Sequence, residues 1–205
     1  MKIAIIGSGN VGSALAAGFI KAKHEVIFGV RNPDSAKTKK ALELIPSAKI
    51  LNIKDACLQS EIIVITTPAD SAIELVSQLG DVSNKTIIDT TNAIRVRPEP
   101  YHTAYHALKD LIKTEKIVKC FNSTGFENML NPVYNGNGID MFCAGSNKEA
   151  KDLASSLAKE IGFAECWDFG GDDKVELLEK FALSWINLAI MQGHGRNLAF
   201  KLLKR

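Results

Sequence analysis

The chain opens on an apolar run, Lys2-Ile3-Ala4-Ile5-Ile6, and returns to the pattern in Glu25-Val26-Ile27-Phe28-Gly29-Val30, Glu61 to Thr66, Lys85 to Asp89 and Ile117 to Phe121. Runs this short, with little polar alternation, suit strands buried on both faces, as in a parallel sheet covered by helices. Between them the apolar residues recur at helical spacing. That pattern predicts helices over about Asn10 to Lys21, Pro33 to Leu44, Asp70 to Leu79, Ala104 to Lys113 and Lys148 to Ile161. A short strand at Ala48 to Leu51 and two more at Asp140 to Ala144 and Ala164 to Trp167 continue the alternation. Strand and helix in turn predict an α/β fold of Rossmann type, a doubly wound, mostly parallel sheet.

Residues 172–205 keep a helical pattern that Gly193 and Gly195 divide, predicting a helix of about Lys174 to Met191 and a shorter one near Arg196 to Leu203. These residues are too few for an independent domain. They read as a small C-terminal helical cap on the domain of residues 1–171, its apolar positions buried against the sheet or against a second copy in a homodimer.

Composition narrows the class. A chain of 205 residues suits one sizeable domain. The 25 Lys and Arg against 23 Asp and Glu leave a net charge of +2, so the overall balance indicates no nucleic-acid partner. Cys57, Cys120, Cys143 and Cys166 lie far apart with no metal-ligand spacing, which predicts no metal site; three of them sit in or beside apolar strand runs and read as small buried hydrophobes in a reducing compartment. The first residues already form a core strand, leaving no room for a signal peptide, and the apolar stretch Phe181 to Met191 is too short to cross a bilayer. A cytoplasmic protein without a membrane partner is expected.

The first chemical motif follows the first strand. In Gly7-Ser8-Gly9-Asn10-Val11-Gly12, the first glycine suits a sharp turn off the strand, the second a close approach of pyrophosphate to the backbone, and the third tight packing of helix on sheet. Glycine-rich turns are common, so the motif gains its weight from standing between a strand and a helix whose N-terminus attracts phosphate. About 20 residues further on, an NAD-binding chain places an acid on the ribose hydroxyls. This chain has Gly29-Val30 there and continues Arg31-Asn32-Pro33. A cation in place of an anion favours NADP(H): Arg31 can bond the ribose phosphate, Asn32 and Ser35 can donate further bonds, and Lys37 supplies a second cation. The plainer alternative makes Arg31 an ordinary exposed charge after a strand.

In an open α/β sheet, ligands gather at the carboxyl ends of the strands near the switch in strand order. The residues expected there include Ser8 to Val11, Thr67, Pro68, Asn92, Ala93 and Asn122, all without charge and mostly polar. Such groups can hydrogen-bond a nicotinamide or a second flat ring. Taken singly each has another use, since Thr67-Pro68 can start a helix, Asn92 can cap or turn, and Ser123 or Thr124 can serve as an N-cap. No general acid, nucleophile or metal ligand set stands out, so the catalytic residues stay unassigned. His194, between two glycines, is the one histidine placed where backbone could approach a ligand. Hydride exchange between two redox cofactors asks for ring positioning and exclusion of water more than for a proton-transferring side chain.

With these residues in view, the chain resembles the NADP oxidoreductases that use the deazaflavin coenzyme F-420, a family similar to the cytoplasmic reductase domain of membrane ferric reductases. The resemblance rests on Met1 to Gly12, Gly29 to Pro33, Asp89-Thr90-Thr91-Asn92, Lys119 to Gly125, Met141 to Gly145 and Leu198 to Leu203. It implies NADPH held across Ser8 to Val11, its ribose phosphate on Arg31 and neighbours, and its nicotinamide near Thr67, Asn92 and Asn122. A flavin or F-420 would then be the small-molecule redox acceptor, stacked under the cap. Where family members often carry Ser before the phosphate-binding Arg, this chain has Val30. The alternatives are an imine or pyrroline-carboxylate reductase and a module that senses NADPH without turnover.

Overall fold

The computed structural model describes residues 1–205, the side chain of Lys37 excepted. Eight strands form one sheet: β1 (Lys2–Ile6), β2 (Glu25–Val30), β3 (Lys49–Asn52), β4 (Ile62–Ile65), β5 (Thr86–Asp89), β6 (Ile117–Cys120), β9 (Met141–Ala144) and β10 (Cys166–Asp168). A two-stranded hairpin, β7 (Val133–Tyr134) with β8 (Asn137–Gly138), stands apart. The spatial order is β10-β9-β6-β5-β4-β1-β2-β3. Every neighbouring pair is parallel except β6 with β9, where the chain re-enters the sheet after the hairpin from the opposite end. Strand order reverses between β1 and β4, which places the switch point beside the glycine turn.

The helices are α1 (Asn10–Lys21), α2 (Ala36–Leu44), α3 (Ile53–Leu58), α4 (Ala72–Leu79), α5 (Ala104–Leu111), α6 (Phe126–Leu130), α7 (Lys148–Glu160) and α8 (Val175–Ile186), the last running into a π-helical turn over Asn187–Met191. They cover both faces of the sheet, so successive strand residues enter different apolar layers. Ile3 and Ile5 pack with Leu15, Phe19 and Phe121 under α1 and α7, whereas Ala4 and Ile6 join Leu75, Tyr105 and Leu178 on the opposite face. Phe19 and Phe121 meet edge to face at 6.1 Å and tie α1 to the end of β6. No helix among the described residues is long and apolar enough to cross a membrane.

Besides the short helix α6 and the β7–β8 hairpin, three stretches differ from the pattern. Helix α2 starts at Ala36 and not at Pro33, because the Ser35 side chain caps it by accepting from the Thr38 amide at 3.2 Å. Helix α3, unanticipated, is short; Asn52 caps it by accepting from the Asp55 amide. Residues 196–203 are the third case. Expected as a helix, they run as an extended strap, because the backbone bonds that a helix would close locally go to distant partners. The Leu198 carbonyl accepts from Trp185 Nε1 at 2.6 Å and from Asn128 Nδ2 at 2.7 Å, and the Leu202 amide donates to Asp140 Oδ2 at 2.8 Å. Gly193 and Gly195, at φ +74° and +86°, turn the chain into that path. The C-terminal cap is therefore one helix with a strap, fastened where Phe200 stacks on Phe181 at 4.6 Å.

Candidate functional site

The glycine turn is held from below by a residue of the neighbouring strand end. Thr66 Oγ1 lies 2.9 Å from the Ile6 carbonyl and 3.1 Å from that of Gly7, fixing the chain as it leaves β1. Gly7 has φ +109°, and a Cβ on Gly12 would lie 2.3 Å from the Gly7 carbonyl and 2.8 Å from Thr66 Oγ1. Helix α1 can therefore approach the turn only because Gly12 has no side chain. The N-terminus of α1 carries no side-chain cap and no acid in its first turn, so its amides and positive dipole end stay available for an anion. Gly9 is its N-cap, Asn10 is exposed, and Val11 packs against the core. Ser8 is buried, its hydroxyl 3.4 Å from that of Thr38.

Beyond β2, Arg31 stands exposed with its guanidinium 3.3 Å from Glu74 on α4. Both side chains are more than half exposed, at 64% and 61%, so this pair is readily exchanged for a better anion. Arg31 and Thr67 line one narrow cleft of about 20 Å³ with Ile53, Ser71, Glu74 and Gln78, so the structure brings these two expected residues together. Asn32 and Ser35 serve the local turn: Asn32 Oδ1 accepts from the Asp34 amide, and the Ser35 hydroxyl pairs with that of Thr38 at 2.8 Å. The side chain of Lys37, expected as a second cation, lies outside the described part of the structure.

At the ends of β4, β5 and β6 the polar residues converge. Asn92 Nδ2 donates to the Asn122 carbonyl at 2.8 Å, and Asn122 Nδ2 donates back to Asn92 Oδ1 at 2.9 Å. This exchange leaves Asn122 Oδ1 buried without a partner, as are Thr67 Oγ1 and Thr91 Oγ1. Buried polar atoms are nearly always bonded, so three orphans along one sheet edge mark a place where a ligand can complete them. Pro68 opens the 3-10 turn over Ala69–Ser71, and its carbonyl accepts from Ser71 Oγ at 2.7 Å. The Ala93 amide donates to Glu179 at 2.8 Å, and Ala93 borders a cleft of about 170 Å³ under α8.

Residue patterns alone left one group unnoticed. Lys119 lies in the middle of β6, fully buried, and contacts both Asp89 and Glu179. Its signal was a charged residue inside an apolar strand run. Burial works against its charge, and the two carboxylates outweigh that effect and hold its pKa above the ordinary lysine value.

Other candidates fall away. His194 is exposed, and only its backbone amide is engaged, donating to the Leu188 carbonyl at 3.2 Å. Burial pushes the Cys57 thiol up to about 12, and burial likewise raises that of Cys120. Thiols so protonated are poor nucleophiles. Among the described residues no group of three or more His, Cys, Asp or Glu could hold a metal ion. What the sheet edge offers is an anion site at α1, an exchangeable cation at Arg31, and neutral hydrogen-bonding groups between α1 and α8. These features fit a phosphate-bearing dinucleotide whose ring end lies among the neutral groups.

Comparison with known proteins agrees with that geometry. Residues 2–93 match the family model described as NADP oxidoreductase coenzyme F420-dependent. Over this segment, somewhat less than half of its length, the chain is similar to that family. The match spans β1 to the loop after β5, and so includes the glycine turn, Arg31, Thr67 and Asn92. The F420-dependent NADP reductase of Methanothermobacter thermautotrophicus is 26% identical over 221 residues, an alignment covering 98% of this chain and 94% of that protein. In fold, the chain matches the crystal structure of a candidate F420-dependent NADP reductase from Arthrobacter sp. FB24, with a TM-score of 0.88, 23% identity and full coverage of both chains. A reductive aminase from Aspergillus terreus in complex with NADPH shares the fold at a TM-score of 0.67 and 18% identity, over 94% of this chain and 63% of that one.

Proposed function

We propose that the protein is an oxidoreductase that moves a hydride between NADP(H) and a flavin or deazaflavin, with coenzyme F420 the acceptor to which the family points. The observation that carries this reading is the set of unpartnered buried atoms, Thr67 Oγ1, Thr91 Oγ1 and Asn122 Oδ1, at the ends of neighbouring strands beside the uncapped α1. The nicotinamide supplies the hydride when bound. The chain's own part is to bind, orient and shelter the ring: amides of Ser8 to Val11 and the α1 N-terminus take the pyrophosphate, Arg31 turns from Glu74 to the ribose phosphate, and Thr67, Asn92 and Asn122 hold the ring end. A side-chain acid is not required for hydride exchange between two rings.

Residues 172–205 belong, in this reading, to the same domain as residues 1–171 and roof the acceptor side, since Phe181, Val175 and Leu178 pack into the layer beneath α8. Four free cysteines suit a cytoplasmic setting, and the exposed Ile190 and Met191 suit a homodimer. The imine-reductase alternative has support from fold alone.

The test is anaerobic mixing of the protein with NADPH and, separately, F420, FMN and FAD, following the nicotinamide absorbance. Oxidation of NADPH with concurrent reduction of F420 is expected. Tight NADPH binding with no oxidation by any of the three acceptors would support a sensing module instead.

A further inference from the structure

Resting on the hydride-transfer reading, we propose that Glu179 and Lys119 are positioning residues that set the loop after β5, so that cap helix α8 fixes the ring end of the site. Three hydrogen bonds from these buried charges hold the loop. Lys119 Nζ donates to the Thr91 carbonyl at 2.7 Å and lies 2.7 Å from Asp89 Oδ2 and 2.5 Å from Glu179 Oε1. Glu179 Oε2 accepts from the Ala93 amide at 2.8 Å, and Asp89 Oδ1 accepts from the Thr91 amide at 2.9 Å. Asn92 sits between these fastened residues, and its side chain is the one that exchanges hydrogen bonds with Asn122.

Charge burial makes this arrangement costly as mere packing. Asp89 and Lys119 are fully buried and Glu179 is 6% exposed, and two carboxylates share one ammonium. A buried ionic group is weak support for a fold, since well-packed apolar side chains of similar size often serve stability as well or better. Its distinctive effect is geometric: it ties together a strand end, a central strand and the helix that roofs the cleft beside Ala93.

The carboxylate of Glu179 accepts from two donors at once, Lys119 Nζ and the Ala93 amide. A glutamine has one carbonyl oxygen and one NH2, so it can accept from one of these and must turn a donor toward the other. The substitution also leaves Lys119 opposite a single carboxylate, so one buried ammonium then faces one buried carboxylate. Glu179→Gln therefore loosens the Ala93 end of the loop while the bonds of Lys119 and Asp89 to Thr91 stay in place.

The experiment compares wild type, Glu179→Gln and Glu179→Asp by NADPH titration, emission of the bound nicotinamide, thermal midpoint, and kcat and KM for NADPH-driven F420 reduction. Aspartate keeps the charge but is too short to span both donors, so it carries the test if the glutamine variant fails to fold. Both variants are expected to bind NADPH within about twofold of wild type while kcat falls about ten- to a hundredfold, the scale of misplacing a reacting group by about 1 Å. Emission of the bound nicotinamide is expected to move toward that of free NADPH, with KM for NADPH unchanged. Two outcomes would overturn the proposal: kcat and emission both at wild-type values, or NADPH affinity and thermal midpoint collapsing together in both variants. Should wild type reduce no acceptor, the hydride-transfer reading fails, and the emission comparison alone decides whether Glu179 sets the ring environment.

Discussion

The closest approach in the site is between α1 and the turn after β1, and Gly12→Ala tests it. The added methyl would lie 2.3 Å from the Gly7 carbonyl, 2.8 Å from Thr66 Oγ1 and 3.2 Å from Ile5 Cγ2. The first contact falls about 1 Å short of ordinary van der Waals separation. Neither oxygen can yield easily, because one belongs to the backbone and the other is hydrogen-bonded to the Ile6 and Gly7 carbonyls. The helix must then move outward. Overpacking of this kind costs about 1–3 kcal/mol. For a chain of this size, 2 kcal/mol corresponds to a fall in Tm of about 4–8 °C. The same movement carries the first-turn amides from the pyrophosphate, and losing one charge-assisted bond worth about 1.5–3 kcal/mol weakens NADPH binding about ten- to a hundredfold. Gly18→Ala is the control within the same helix, where the new methyl meets only the Ile161 side chain, at 3.0 Å or more. Fluorescence titration with NADPH and thermal melts of both variants read the outcome. A Gly12→Ala protein that binds NADPH within about twofold of wild type and melts within about 1 °C of it would refute the reasoning.

Other perturbations have signs of their own. Thr67→Val removes a buried hydroxyl that has no partner, so the free protein should be unchanged or up to about 1 kcal/mol more stable while NADPH binds severalfold more weakly, as melts with and without the cofactor would show. Glu74→Gln frees Arg31 from an exposed pair worth about 0–1 kcal/mol and removes a negative charge beside the phosphate site, so NADPH should bind about two- to fivefold more tightly, with little change for NADH. The strap should come loose in acid. Burial works to raise the Glu127 pKa, but the hydrogen bond from Arg196 outweighs it and holds the carboxyl below its ordinary value. The stabilisation from that pair is thus present above the unfolded-state pKa and is lost as pH falls through the folded one. Limited proteolysis after Arg196 and Lys201 by an acid-stable enzyme should accelerate as pH drops below about 4, while at neutral pH cleavage stays slow.

Parts of this architecture could be read from residue order because their causes are local. Strands β1 and β2 and helix α1 have the bounds that their apolar runs and glycines indicate. The glycine turn shows in the sequence as three glycines at fixed spacing, and Arg31 stands one residue past β2. Elements decided by distant partners were not legible. The strap of residues 196–203 has helical periodicity, yet Trp185, Asn128 and Asp140 claim its backbone groups. Helices α3 and α6 are too short to show a period. In the site, the pairing of Arg31 with Glu74 joins residues far apart in sequence, as does that of Ala93 with Glu179. Lys119 did carry a local sign, a charge within a buried strand, but what it binds depends on the strand order.

The proposed function requires NADPH to lie across the α1 N-terminus with its ribose phosphate on Arg31. Paired equilibrium titrations of NADPH and NADH against wild type and Arg31→Ala test it most directly. Wild type is expected to prefer NADPH, and Arg31→Ala to weaken NADPH binding about ten- to a hundredfold while leaving NADH affinity unchanged. Equal loss for both dinucleotides, or no loss for either, would contradict it.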